Sequence, residues 1–132
     1  MSKRRGMNEL LETSKKVLAS GIEINYLGDE FLFRQGQKAE FVFYLQGGSL
    51  LLDWPNENKR VTVIDKPIFI GIDEAMHGDK YACSAMTTKA STFLVFDRSY
   101  FNHLITEFDQ AKSYFEAMHL DFIQQIKQLE IA

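Results

Sequence analysis

The sequence predicts a mainly β domain, an antiparallel roll or barrel of short strands with one short helix before it and two helices after it. Three observations carry this reading. Apolar and aromatic residues alternate through the middle of the chain, turn signals separate the alternating runs, and helical spacing is confined to the two ends. The expected division is residues 1–20 for the first helix, 21–96 for the roll and 97–132 for the closing helices, all in a single domain.

Leu10, Leu11, Val17 and Leu18 fall on one helical face, with Asn8 as N-cap and Ser20-Gly21 as the stop. Lys3, Arg4 and Arg5 ahead of them read as a frayed basic tip. From Ile22 the period becomes two. The strand runs are Ile22/Ile24/Tyr26, Phe31/Phe33, Phe41/Phe43/Leu45, Leu50/Leu52, Val61/Val63, Ile68/Ile70 and Phe93/Val95, rich in aromatic and branched residues. Gly28-Asp29, Gly36, Gly47-Gly48, the Pro55-Asn56-Glu57-Asn58 group and Gly78-Asp79 lie between them, at the intervals of a small antiparallel roll. Asp97 is the expected N-cap of the first closing helix, which runs through Phe101, Leu104 and Ile105, breaks near Phe108-Asp109 and resumes.

At 132 residues the chain is long enough to bury one core. Its formal net charge of −3 argues against generalised attraction to nucleic acid or to an acidic membrane surface. No apolar run approaches the ~20 residues of a membrane span, and the segment from Asn8 to Lys16 is too polar for a signal peptide. One cysteine, Cys83, excludes an internal disulfide and fits a cytoplasmic location.

The order of elements and the placing of the glycines resemble the cyclic-nucleotide-binding domain family, including the sensor domains of Crp/Fnr-type regulators. The residues that carry the resemblance are Gly28, then Phe33-Arg34-Gln35-Gly36-Gln37 with Ala39, then Phe43 through Leu50, then Phe69-Ile70-Gly71, and Arg98-Ser99-Tyr100-Phe101. It spans nearly the whole chain and implies a β-roll of the double-stranded jelly-roll type. It also implies a ligand loop at Gly71–Ser84, where nucleotide-binding members carry a Gly-Glu pair and, about nine residues on, an arginine followed by small residues. The glutamate position here is Ile72 and the arginine position is Tyr81. Both charged contacts are missing, while Ala82, Cys83, Ser84 and Ala85 keep the small residues.

A bidentate arginine–phosphate contact is charge-assisted and geometry-specific, and a tyrosine hydroxyl does not reproduce it. The expected consequence is weak or absent cyclic-nucleotide binding, with a loop that keeps its shape and its backbone donors. A re-registered site is the alternative, in which Lys80 supplies a point charge and Asp73 or Glu74 takes the ribose. The candidate ligand residues are therefore Gly71, Ile72, Asp73, Glu74, Lys80, Tyr81, Ala82, Cys83 and Ser84.

Other reactive side chains read as ordinary. His77 in the loop is expected to be solvated, and Cys83 is expected to be a small buried apolar residue. His77, His103 and His119 lack the paired spacing of a metal site, and no nucleophile–base constellation appears, so neither a metal, nor another cofactor, nor an enzymatic activity is expected. Trp54 beside Pro55 is either a core cap or an exposed contact residue.

The closing helix carries two apolar stripes. One collects Ala111, Phe115, Met118, Phe122, Ile126 and Leu129, and the other Tyr114, Ala117, Leu120, Ile123 and Ile131. The expectation is a homodimer with Phe115, Met118, Phe122, Ile126 and Leu129 on the seam, the second stripe covering the roll. The alternative is a monomer that buries both. No recognition helix or basic stripe follows the closing helix, so direct DNA binding is not expected, and a stand-alone sensor and one part of a longer protein fit equally.

Two functions follow from this reading. The first is a regulatory sensor for a small molecule, nucleotide-like or other, in a pocket between the roll, the Gly71–Ser84 loop and the closing helix. The second is a ligand-free dimerisation or protein-interaction module on the same fold, its pocket filled by Ile72, Met76 and Tyr81.

Overall fold

The computed structural model describes residues 2–55 and 60–131, with side chains for 11–55 and 61–129. Helix α1 runs Ser2–Ser20. The strands are β1 (Ile22–Tyr26), β2 (Phe31–Phe33), β3 (Phe41–Gly47), β4 (Leu50–Trp54), β5 (Arg60–Ile64), β6 (Ile68–Ile70), β7 (Ser84–Thr87) and β8 (Ser91–Asp97). A short helix, α2 (Ile72–His77), interrupts them, and α3 (Arg98–Glu107) and α4 (Asp109–Ile131) close the chain. The Asn56, Glu57 and Asn58 positions of the expected turn lie outside the described residues.

Two antiparallel four-stranded sheets form the roll: sheet A in the order β1-β8-β3-β6 and sheet B in the order β2-β7-β4-β5. Their inner faces enclose one cluster of buried residues, including Phe33, Phe43, Leu52, Ile68, Tyr81 and Phe93. Trp54, 7 % exposed, belongs to this cluster and so caps the core. The outer face of sheet A is covered by the helices, and a second cluster lies there with Val42, Phe69, Ile72, Phe96, Phe101 and Phe115. β3 and β8 serve both sides, so Val42 and Phe43 are both buried although they point in opposite directions.

Four sequence expectations are corrected. Helix α1 starts at Ser2, so Asn8 is inside it and does not cap it; the residues before it, apart from Gly6, are compatible with helix. Strand β7 was not foreseen, because Ser84-Ala85-Met86-Thr87 lacks the large alternating side chains that mark its neighbours. Helix α2 falls inside the expected loop. The seam on α4 is the fourth. Phe115 is fully buried and Ile126 is 7 % exposed within the single chain, while Met118 and Phe122 pack against the two clusters. That stripe covers the chain's own cores, and only Leu129, 46 % exposed, stands out in water. Tyr114 of the other stripe is buried too, and its hydroxyl meets that of Ser14 on α1 at 3.1 Å.

The expected cap of α3 is present: the Tyr100 N–H donates to the Asp97 carboxylate at 2.8 Å. Gly48 is a turn glycine held by contact as well as by angle. Its φ is +119°, and a Cβ there would lie 2.1 Å from the Ser91 Oγ, whose oxygen accepts from the Ser49 N–H.

Candidate ligand-binding site

The segment from Gly71 to Ser84 begins at the end of β6 and must turn sharply to enter α2. Gly71 takes φ +90° there, and a Cβ on it would lie 3.2 Å from both the Phe41 carbonyl oxygen and the Tyr81 ring. Glycine is required twice over, for the backbone angle and for the approach of Tyr81. Gly78, at φ +69°, ends the helix after six residues.

Beyond α2 the chain is joined to the β2–β3 connection by backbone hydrogen bonds. The Gly36 N–H donates to the Tyr81 carbonyl at 3.0 Å, the Tyr81 N–H to the Gln37 carbonyl at 2.8 Å, and the Ala39 N–H to the Asp79 carbonyl at 3.1 Å. Ser84 adds a fourth tie, its hydroxyl accepting from the Gln35 N–H at 2.9 Å. This lacing directs Tyr81 into the roll.

Tyr81 is 3 % exposed and stacks on Phe33, with ring centroids 3.7 Å apart and planes 12° from parallel. Its hydroxyl donates to the Phe41 carbonyl at 2.5 Å and lies 3.2 Å from the Phe41 N–H, which donates to it. Burial pushes the phenol up to about 12; Glu74 and Glu40 add to the shift and the Phe41 backbone bond opposes it. At neutral pH the side chain is a neutral aromatic plug with a satisfied hydroxyl.

Glu74 takes a different role from the one expected of a ribose ligand. Its carboxylate accepts from the Ala82 N–H at 3.3 Å, so an acid from the protein itself holds a backbone donor of the small-residue segment. The sequence led to the expectation that the loop keeps its backbone donors; the Ala82 N–H is one of them, and here it is engaged by Glu74. Ile72 is 2 % exposed and packs in the helix-covered cluster, on the other side of sheet A from Tyr81. The two positions that should carry the charged contacts are therefore not brought together. Met76 packs with Ile72 against that same cluster. Cys83 and Ala85 are buried in the roll beside Tyr81, Ala82 is exposed, and Lys80 is exposed next to Lys38.

Asp73 faces out toward α4. One carboxylate oxygen lies 3.2 Å from the His77 Nδ1 and 4.0 Å from the His119 Nε2. These groups line a cleft of about 600 Å³ between α2, α3 and α4, and a second groove of about 550 Å³ lies between α1, α3 and α4. Both are outside the roll. Among the described residues no group of three His, Cys, Asp or Glu side chains is placed to hold a metal ion, and no helix is long and apolar enough to cross a membrane.

Phe33 and Phe41 were not foreseen as parts of the site. Phe33 stands among the residues that carry the resemblance, but strand alternation alone does not point from it or from Phe41 to Tyr81, which is 40 or more residues away.

Residues 23–108 match the family model described as cyclic nucleotide-binding domain. Among solved structures the chain is similar to the Thermus thermophilus catabolite activator protein, at 13 % identity and TM-score 0.72, covering 89 % of this chain and 56 % of that one. It is similar also to CLP of Xanthomonas campestris, described as a c-di-GMP responsive global regulator, at 16 % identity and TM-score 0.69, covering 90 % and 59 %. A third is the N-terminal domain of a Streptomyces coelicolor transcriptional regulator, at 12 % identity and TM-score 0.67, covering 89 % and 86 %. At these identities the likeness is one of fold, and the chain spans a little over half the length of the first two. No curated protein sequence matches it significantly.

Proposed function

The chain belongs to the cyclic nucleotide-binding domain family, and from that premise we propose that it is a non-catalytic regulatory domain whose own tyrosine closes the nucleotide site, so that cyclic AMP binds weakly or not at all. The observation that carries the reading is the Tyr81–Phe33 stack with its hydroxyl on the Phe41 backbone. A nucleotide entering by the route the family uses would have to expel a ring that is 3 % exposed and displace the Glu74 carboxylate from the Ala82 N–H. In return it would find neither the glutamate nor the arginine. Losing two or three charge-assisted hydrogen bonds at roughly 1.5–3 kcal/mol each weakens binding by several decades.

Calorimetric titration with cyclic AMP, cyclic GMP and c-di-GMP tests this, the last because the Xanthomonas regulator is described as responsive to it. The expected outcome is no saturable binding of cyclic AMP below high micromolar concentration. A submicromolar dissociation constant overturns the proposal. Native mass spectrometry of the purified protein reports any other small ligand that the roll retains.

The second reading, an interaction module, is favoured by α4. With Phe115 and Ile126 committed to the chain's own cores, the apolar surface left on the helix centres on Leu120, 60 % exposed, with Ala117 and Ile123 half-buried beside it. A homodimer through that narrower stripe replaces the seam expected from the sequence. A cytoplasmic location fits a chain that has a single cysteine and so no internal disulfide.

A further inference from the structure

Every ion-pair contact among the described side chains falls at one place and involves a histidine. On α2 the Asp73 carboxylate lies 3.2 Å from the Nδ1 of His77, one turn on, and the same oxygen lies 4.0 Å from the Nε2 of His119 on α4. Both contacts are therefore conditional. Histidine gains its charge between pH 5 and 8, so these are ion pairs only on the acid side of that range. The two approaches differ in kind. The His77 Nδ1 faces two acceptors of Asp73, the carboxylate and, at 2.9 Å, the backbone carbonyl, so that nitrogen carries a hydrogen even in the neutral ring. His119, with 25 % of its side chain exposed, stands beyond hydrogen-bond distance and lacks such a tie until it is charged.

The surroundings favour uptake of a proton. The cleft that holds the three residues is also lined by Lys112 and Glu116 of α4. While both imidazoles are neutral, two carboxylates against one lysine leave the cleft a net negative charge; one proton neutralises it and a second reverses its sign. The other elements packed on α2 add no charge there. β3 carries no charged side chain, and α3 brings Ile105 to the cleft, while its Arg98 binds the Ala75 carbonyl instead, Nε donating at 3.3 Å. Glu74, the remaining acid of α2, is turned to the Ala82 N–H.

We propose that Asp73, His77 and His119 form an acid-responsive latch that ties α2 to α4 and is drawn closed as pH falls through the ordinary range of histidine. The inner side of α2 is seated at any pH by Ile72, Ala75 and Met76 in the helix-covered cluster. The latch acts on its outer side, where Asp73 and His77 are about half exposed. A charged His119 is attracted to the carboxylate, and a movement of about 1 Å brings the two to the separation of a charge-assisted hydrogen bond. One exposed pair is worth little, but here two act on one carboxylate across a helix contact. Because α2 lies inside the Gly71–Ser84 segment and α4 is the closing helix, acid stiffens the joint between loop and helix without a ligand in the roll. This inference is independent of the nucleotide question.

The test follows amide hydrogen exchange of the whole chain by NMR at pH 5.5 and 7.5, each rate corrected for the intrinsic rate at its pH, with the amides of β3 as the reference for global stability. Protection of α2 relative to β3 is expected to rise about two- to fivefold at the lower pH, the range of one or two exposed ion pairs. The rise should vanish in Asp73→Asn and in His119→Gln, which keep polar side chains of similar size but take no charge. It should persist in His103→Gln, since that histidine of α3 does not line the cleft. Should Asp73→Asn fail to fold, His119→Gln alone decides. Three results overturn the proposal: equal protection of α2 at both pH values in the unmodified protein, a rise that survives His119→Gln, or a rise lost in His103→Gln. The second would place the effect in the Asp73–His77 pair within α2, with no tie to α4.

Discussion

Replacing Tyr81 separates a plug from an idle loop residue. Tyr81→Phe keeps the ring on Phe33 and against Gly71 but removes the hydroxyl that donates to the Phe41 carbonyl. The Phe41 backbone groups that it serves are part-buried, so the expected loss is about 1–3 kcal/mol. Tyr81→Ala also empties the space of a ring that is 3 % exposed, and deletion of a buried aromatic side chain costs about 3–5 kcal/mol. A domain of this size holds about 5–15 kcal/mol in total, so the alanine variant loses a large share of its stability. Urea unfolding followed by the fluorescence of buried Trp54 measures both, with the slope unchanged if only stability has moved. If both variants unfold within about 0.5 kcal/mol of the unmodified protein, as expected for a solvated surface residue, Tyr81 does not hold the site and the filled-pocket argument fails.

Ile72→Glu, the change that would restore the family's acidic residue in sequence, should instead destabilise the fold by about 3 kcal/mol or more, because it puts a charge in the helix-covered cluster; thermal melting near that of the unmodified protein would contradict the placing of Ile72. On α4, Leu120→Glu should leave a folded monomer, whereas Ile126→Glu should damage the fold itself, since Ile126 is 7 % exposed in the single chain. Sedimentation and circular dichroism together check this pair, and a folded, dimeric Leu120→Glu protein would remove that stripe from the interface. The Tyr81 phenol holds its proton from its ordinary value near 10 up to about 12. Its contribution to stability is therefore complete below pH 10 and is lost as pH rises toward 12, a loss of about 1.4 kcal/mol per pH unit across that window. Stability measured against pH for the unmodified protein and for Tyr81→Phe should differ in slope only there, and parallel curves would refute the assignment.

The strands were legible because their alternation is written in large side chains. Phe41, Phe43 and Leu45 mark β3 without help from any other part of the chain. β7 was hidden for the opposite reason, its four residues being small or flexible, and α2 because six residues between two glycines make less than two turns. In β5 the alternation gave the strand but not the facing. Val61 and Val63 point to water while Thr62 and Ile64 point inward, and period two by itself does not say which face is covered. The same limit applies to α4, where spacing identified both stripes but not what lies against each. For the site, only the expectation of a missing glutamate and arginine was legible, since an absent charge is visible in a sequence. What stands in their place was not, because the contact between Phe33 and Tyr81 depends on how the Gly36–Ala39 segment is laced to the chain beyond α2.

The Gly71–Ser84 stretch and helix α4 each reach both cores of this molecule, as strands β3 and β8 do. The Gly71–Ser84 stretch puts Ile72 into the helix-covered cluster and Tyr81 into the roll cluster. Helix α4 does the same along its length, with Phe115 in the first cluster and Ile126 in the second. Close-packed interiors transmit displacement rather than absorb it. A loop that moved Tyr81 out of the roll would therefore disturb the packing on which Ile126 rests, and through it the seating of the distal half of α4. On the proposed reading that movement is suppressed, because the Tyr81 ring is stacked on Phe33 inside the roll with its hydroxyl on the Phe41 backbone. The domain then presents α4 in one fixed arrangement, which suits a surface read by partners better than a switch thrown by a nucleotide.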